Sequence, residues 1–222
     1  MITFTTCTKK QFERHGLRFL LTFTKHFPGE LFWYADFDID SPRVTVLPVP
    51  GKVRQVREHF NQYWQRSNKS PRQIDFVRMR MGIRFACVVE ALQSHGKFCW
   101  LDSDIVIARD VPKAFLDGLT DGVEFTYLGT GGVPDFGYMG FNLEDPQKLA
   151  WALRKRFLIS PQAMAALYGA NPIEAIKQAA KTRNLTPYGE PKDHVFIQSP
   201  LGHYMDHLVG TKRKNLGYSP ER

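Results

Sequence analysis

Two aspartates one residue apart, Asp102 and Asp104, stand between the apolar runs Phe98-Cys99-Trp100-Leu101 and Ile105-Val106-Ile107. A buried strand that ends in Asp-x-Asp delivers paired oxygen ligands to the edge of a sheet, where a hard divalent cation and a diphosphate can meet. The bland alternative is an acidic turn between two strands. A second acidic cluster, Asp36-Phe37-Asp38-Ile39-Asp40, competes for the same role. It fails as a calcium loop, because Ser41 stands where the turn glycine belongs and Leu47 where a bidentate Glu is needed. It reads as a solvated loop with Asp36 nearest any ligand.

The tail carries a second concentration of chemistry. Asp193-His194 is followed by Ser199-Pro200-Leu201-Gly202-His203-Tyr204-Met205-Asp206-His207 and then by the basic run Lys212-Arg213-Lys214. Histidines, aspartates and cations in that mixture suit an ion-and-phosphate site better than a core helix. A frayed polar terminus is the alternative. The segment Gly129-Thr130-Gly131-Gly132-Val133-Pro134 lacks the spacing of a phosphate loop and reads as a flexible connection.

Elements must place these groups. Ile2–Thr6 reads as a strand, Gln11–Phe27 as an amphipathic helix and Leu31–Ala35 as a second strand, the β-α-β start of a doubly wound sheet. Val44–Leu47 reads as a third strand and Lys52–Arg66 as a polar helix, with a cap at Ser70-Pro71. The stripe Ile74, Val77, Met81, Phe85, Val88 and Leu92 marks a helix over 74–94 that leads into the strand Lys97–Leu101. Going back from Ser94 to Arg84 covers about 15 Å at roughly 1.5 Å per helical residue, and the strand climbs about 17 Å to Asp102 at roughly 3.3 Å per residue. Arg84 therefore reaches the level of Asp102, either to meet an anion or to cover the rim of the core. Arg78, nearer the start of the helix, reaches a ligand or snorkels to water. Asp110 before Val111-Pro112 reads as a helix cap. Val123–Leu128 and Tyr138–Leu143 read as strands, and the pairs Asp145-Pro146, Ser160-Pro161 and Asn171-Pro172 divide 145–183 into helices.

Composition bounds the rest. A chain of 222 residues with 43% hydrophobic content builds one good core, so a single domain over 1–222 is expected. No apolar run reaches the ~20 residues of a membrane span, and the N-terminus lacks a signal-peptide layout, which implies a soluble, cytoplasmic protein. Cys7, Cys87 and Cys99 have no Cys-x-x-Cys spacing and read as buried thiols of a reducing compartment. A net charge of +8 and a pI near 9.4 favour an anionic partner.

Together these segments resemble a glycosyltransferase of the GT-A fold, the nucleotide-diphospho-sugar transferase superfamily. The matching pieces are Ile2-Thr3-Phe4-Thr5-Thr6, Arg84-Phe85-Ala86, Trp100-Leu101-Asp102-Ser103-Asp104, Gly137-Tyr138-Met139-Gly140-Phe141-Asn142 and His207-Leu208-Val209-Gly210-Thr211-Lys212-Arg213. The resemblance implies an α/β fold, a mostly parallel central sheet flanked by helices. It divides the chain into a nucleotide-sugar-binding half over 1–110, an acceptor half over 111–200 and a closing tail over 201–222.

It further implies that Thr5, Thr6 and Cys7 hold the nucleobase and ribose of a UDP-sugar, with Asp36 and Ser103 at the same donor site. Asp104 and His207 would hold manganese or magnesium, with Asp102 on the metal or the ribose. Arg84 would meet the diphosphate. Some relatives end in His-x-x-Gly-x-x-Lys, whose lysine grips the diphosphate. Arg213 occupies that position here, so either it or Lys212 takes the contact. Asn142 and Asp135 fall on the acceptor side, and an inverting reaction would need a base, for which Asp193 and Asp135 are candidates.

The charge makes a nucleic acid the expected acceptor, a hydroxymethylated base in viral DNA, with Arg154, Lys155, Arg156 and Lys214 available to its backbone. A cell-surface or lipid-linked glycan is the alternative acceptor. Nucleotidyl transfer is a rival reaction, opposed by Cys7-Thr8-Lys9-Lys10, which offers no glycine-rich nucleotide loop. A non-catalytic nucleic-acid-binding domain is opposed by the Asp-Ser-Asp motif, which repels phosphate unless a metal is bound.

Overall fold

The computed structural model describes residues 1–67, 73–130, 133–155, 172–186, 195–208 and 210–219. The chain falls into two compact units. The first comprises Met1–Leu47, Lys97–Leu143 and Lys181–Arg222, and the second Pro48–Gly96 and Glu144–Ala180.

The first unit is built on strands β1 (Ile2–Thr6), β2 (Glu30–Ala35), β3 (Val44–Pro48), β4 (Lys97–Leu101), β6 (Phe125–Thr130), β7 (Val133–Asn142) and β8 (Thr182–Asn184), in the order β3-β2-β1-β4-β7-β6-β8. β1 runs parallel to both β2 and β4, whereas β7 is antiparallel to β4 and β6, and β8 is parallel to β6. This is the α/β sheet with helices that the resemblance implies, parallel around β1 and mixed beyond β4. The runs Phe4, Leu31-Trp33 and Phe98-Cys99-Trp100-Leu101 are apolar because the middle of such a sheet is covered on both faces. Phe98 stacks on Phe141 at 4.3 Å and meets Phe4 edge-on at 5.1 Å. The helix Leu17–His26 places Phe19, Leu20 and Phe23 in the same core as Trp33, Ile105 and Ile107.

Parallel pairing brings the carboxyl ends of β1, β2 and β4 to one edge, and Asp102-Ser103-Asp104 follows β4 there. A second, two-stranded ribbon lies just past it. β5 (Ile105–Ile107) pairs antiparallel with β9 (Met205–His207), so that His207 is registered opposite Ile105.

Several sequence expectations change. Asp110 does not cap the next helix, which spans Lys113–Leu119 behind Pro112; its carboxylate accepts from His26 Nδ1 at 2.7 Å. Gly129 pairs with Pro134 and Thr130 with Val133, so these four residues belong to β6 and β7 rather than to a flexible connection. Arg183 is not helical, since β8 joins the sheet with Arg183 opposite Thr126. Local pattern gave no sign of this pairing, because three polar residues at an edge carry no strand periodicity.

The second unit contains the helices Gly51–Ser67, Gln73–Ala91, Pro146–Leu153 and Pro172–Ala179. Val53, Val56 and Phe60 form the buried stripe of the first. Asp145 caps the third as its position before Pro146 predicts, accepting from the backbone N–H of Gln147 and Lys148 at 3.1 and 3.2 Å. The expected caps at Ser70-Pro71 and Ser160-Pro161 lie outside the described residues, as do Asn171 and the side chain of Arg78. Among the described residues no helix is long and apolar enough to cross a membrane.

The described part of the tail, residues 195–208 and 210–219, is folded onto the chain rather than frayed. Its last helix, Gly210–Leu216, ends at Gly217, whose φ of +81° suits the left-handed cap and whose N–H reaches Arg213 O at 2.7 Å. Asp206 is buried, and its carboxylate accepts from the backbone N–H and the hydroxyl of Ser219, both at 2.7 Å. Arg18 adds a bond to Lys214 O at 3.2 Å. Asp206→Ala leaves two buried donors on Ser219 unanswered, at about 1–3 kcal/mol each. The expected result is faster protease cleavage between Leu208 and Ser219, read by limited proteolysis, with the sheet's circular dichroism retained.

Candidate metal centre

The turn after β4 is closed by Ile105 N–H donating to Asp102 O at 3.1 Å, which sets Asp102 at the first position of a four-residue turn and Asp104 at the third. Asp102 is held twice more. Its N–H donates to Gly137 O at 2.9 Å, and its Oδ1 accepts from Trp100 Nε1 at 3.0 Å. Trp100 lies two residues back on the strand, hence on the same face.

His207 arrives from the other end of the chain. The β5–β9 register and the bond from Leu208 N–H to Asp104 O at 3.1 Å fix its backbone beside the turn. Its Nε2 is 3.1 Å from Asp104 Oδ1 and 3.9 Å from Asp102 Oδ2, and its Nδ1 faces Asp135 Oδ2 at 3.6 Å. One ligand atom from each of Asp102, Asp104 and His207 lies within 4.8 Å of the others. Two carboxylates and an imidazole form a donor set that fits magnesium or manganese, with no thiolate to favour a soft metal.

Lys214 completes the cluster, its Nζ 2.5 Å from Asp104 Oδ2. Burial alone would raise the Asp104 carboxyl, but His207 and Lys214 outweigh it and hold the group well below the usual carboxylate range. Burial likewise works against a charged His207, and Asp135 with Asp104 carries it well above its ordinary 6.5. The protein thus supplies its own cations to the carboxylates.

The structure brings some of the predicted residues together and separates others. Asp102, Asp104, His207 and Asp135 share one site. Asn142 does not join them: it is paired with Lys97, at the opposite end of β4 from Asp102, and it is exposed. The predicted strand was right, but the antiparallel register carries its last residue away. Thr5 and Cys7 are buried, and Thr6 Oγ1 donates to Tyr34 O at 2.8 Å. Ser103 is also turned inward, its hydroxyl on Cys7 and its carbonyl 3.2 Å from His15 Nδ1. Burial pushes the Cys7 thiol up to about 12.

Asp36 stands exposed just past β2. Lys212 is exposed and Arg213 half-buried; the cation on Asp104 is the next residue, Lys214. Arg84 belongs to the second unit, where its guanidinium reaches Met81 Sδ at 3.3 Å. Asp193 lies outside the described residues. The sequence reading gives Lys214 to an acceptor's backbone and Gly137 only to a matching segment, and it passes over His15. A helix starting at Gly210 was the available signal for Lys214, since it puts residues 210 and 214 on one face.

No protein-family model and no curated protein matches the chain. Solved structures similar to it include mouse xyloside xylosyltransferase 1, at 11% identity over 83% of this chain and 85% of that one, with a TM-score of 0.42. A glycosyltransferase involved in glycosylating the major capsid of PBCV-1 shares 14% identity over 97% of each chain, with a TM-score of 0.42. The galactosyltransferase LgtC, solved with donor and acceptor sugar analogues, shares 12% over 75% of this chain and 69% of that one, again at 0.42. All are glycosyltransferases by name.

Two outcomes follow from its charges. Asp104 contributes stability above its ordinary value of 3.8 that is lost as pH falls below it, because its folded pKa is depressed. His207 contributes stability below 6.5 that is lost as pH rises through its elevated folded pKa. Metal-free protein is therefore expected to be most stable between these limits in urea titrations, and Asp104→Asn to flatten the acid limb. Lys214→Met removes a charge-assisted bond worth about 1.5–3 kcal/mol from Asp104. It should tighten Mn²⁺ binding roughly tenfold by calorimetry in the absence of nucleotide.

Proposed function

We propose that this chain is a metal-dependent glycosyltransferase that moves a sugar from a nucleotide-diphosphate sugar, best fitted by a UDP-sugar, to a hydroxyl acceptor. The observation that carries the reading is the convergence of Asp102, Asp104 and His207 at the carboxyl edge of the sheet. Two residues of a turn and one histidine about a hundred positions later meet within ligand distance.

When bound there, manganese or magnesium supplies positive charge to the diphosphate as the sugar departs. The chain's own residues do the rest. Asp102 and Asp104 hold the cation and His207 adds a neutral nitrogen ligand. Lys214, already at Asp104, places an ammonium where the leaving diphosphate gathers charge. Arg84, Arg213 and Lys212 are further candidates for phosphate oxygens, and Asp36 with Thr6 for the nucleoside. Asp193 is the candidate acceptor base. The closing tail of residues 201–222 is the element that assembles the donor site on the sheet. The buried thiols of Cys7, Cys87 and Cys99 suit a reducing compartment such as the cytoplasm.

For the acceptor we favour DNA carrying a hydroxymethylated base. Support comes from the charge of +8 and from the exposed Arg154 and Lys155. Arg156 lies outside the described residues. The hydroxyl of such a base becomes reachable once the base is flipped out of the duplex.

The test is incubation with nucleotide sugars and Mn²⁺, scored for free nucleoside diphosphate and for labelled acceptor. Asp104→Asn and chelated wild type should each lose at least about a hundredfold in rate, the several kcal/mol expected of a charge-stabilising metal. Full activity in either would overturn the metal reading. Label on hydroxymethylated duplex, declining as salt rises, supports the DNA acceptor; label on simple sugars or glycans alone rejects it.

A further inference from the structure

His207 is buried, and a ligating histidine needs its second nitrogen held if the first is to face the metal in the right tautomer. Two residues of β7 meet that need. Asp135 points Oδ2 at His207 Nδ1 from 3.6 Å, and its Oδ1 is fixed by the N–H of Gly137 at 2.7 Å. Gly137 then does two more things. Its carbonyl accepts from Asp102 N–H at 2.9 Å, and its missing side chain leaves room for the imidazole. A Cβ there would stand 2.5 Å from His207 Cε1, 2.6 Å from Nδ1 and 3.0 Å from Asp135 Oδ1. Its φ is not in the left-handed region, so the glycine is required for space alone.

We propose that Asp135 and Gly137 are positioning residues that set His207 as a metal ligand through its Nε2, with Asp135 as the carboxylate partner of Nδ1–H. This rests on the metal-dependent reading above and deepens it. It also argues against Asp135 as the acceptor base, since one oxygen accepts from Gly137 and the other faces the imidazole at the ion-pair distance of 3.6 Å. An acceptor hydroxyl would have to displace the histidine's partner to reach it.

The experiment measures Mn²⁺ affinity by electron paramagnetic resonance for wild type, Asp135→Ala, Asp135→Asn and Gly137→Ala, with thermal melting to verify folding. The His207 tautomer is read from imidazole nitrogen chemical shifts in protein saturated with diamagnetic Mg²⁺, where the ring is neutral. Asp135→Ala is expected to weaken Mn²⁺ binding about 10–100-fold, the range for loss of such a partner. Asp135→Asn, which keeps an oxygen acceptor for Nδ1–H, should recover most of that affinity, whereas a general base replaced by Asn would not recover turnover. Gly137→Ala should shift the His207 resonances and weaken Mn²⁺ binding at least as much as Asp135→Ala. Wild-type affinity and tautomer in folded Asp135→Ala would overturn the proposal while leaving the metal site standing. Failure of wild type to bind Mn²⁺ would instead remove the metal reading, and the positioning role with it.

Discussion

An enclosed carboxylate has to be answered by positive charge or by hydrogen-bond donors, and Asp104, answered by two cations, is the residue on which this structure turns. Moving a carboxylate out of water costs several kcal/mol unless it is paired and hydrogen-bonded. Lys214 and His207 meet that cost in the metal-free protein, and both come from the last stretch of the chain. The requirement explains why a basic tail is folded back rather than left in solvent. The tail is fastened elsewhere as well, through the β5–β9 ribbon and the bonds that Ser219 donates to the Asp206 carboxylate. Electrostatics selects what sits on Asp104, and backbone pairing ensures that it can get there.

The same cluster is arranged so that its internal cations can yield. An ammonium on a long stem leaves a carboxylate by rotating, without disturbing the turn that holds Asp102 and Asp104. The imidazole changes from a charged donor to a neutral ligand by releasing one proton, while its ring stays in the slot left by Gly137. A divalent ion entering here replaces one set of charges with another, and the backbone need not move.

Much of this was legible before any coordinates. The apolar runs around Asp102 and Asp104, the β-α-β start and the Asp145-Pro146 cap are local signals, and they stand. The significance of His207 came through resemblance, because no local pattern links position 207 to position 104. What escaped was long-range register. Asn142 sits on a correctly expected strand, yet a pairing that aligns it with Lys97 takes it to the far end of β4. Arg213 occupies the motif position, yet the helical rise of the tail brings Lys214 to the carboxylate. Gly137 opens a segment that matches by resemblance, yet its spatial role left no local sign, since a glycine kept for the volume of a neighbour looks like any other.

Cys7 offers an unplanned view of the turn. Its thiol lies under Ser103 and Trp33 and is pushed up to about 12 by burial, so almost none of it is thiolate at neutral pH. Ser103 is one of the groups that cover it, so opening of the Asp102–Ile105 turn is one route by which a modifying reagent reaches the sulfur. Alkylation of Cys7 therefore senses the breathing of the carboxylate turn together with that of its other neighbours.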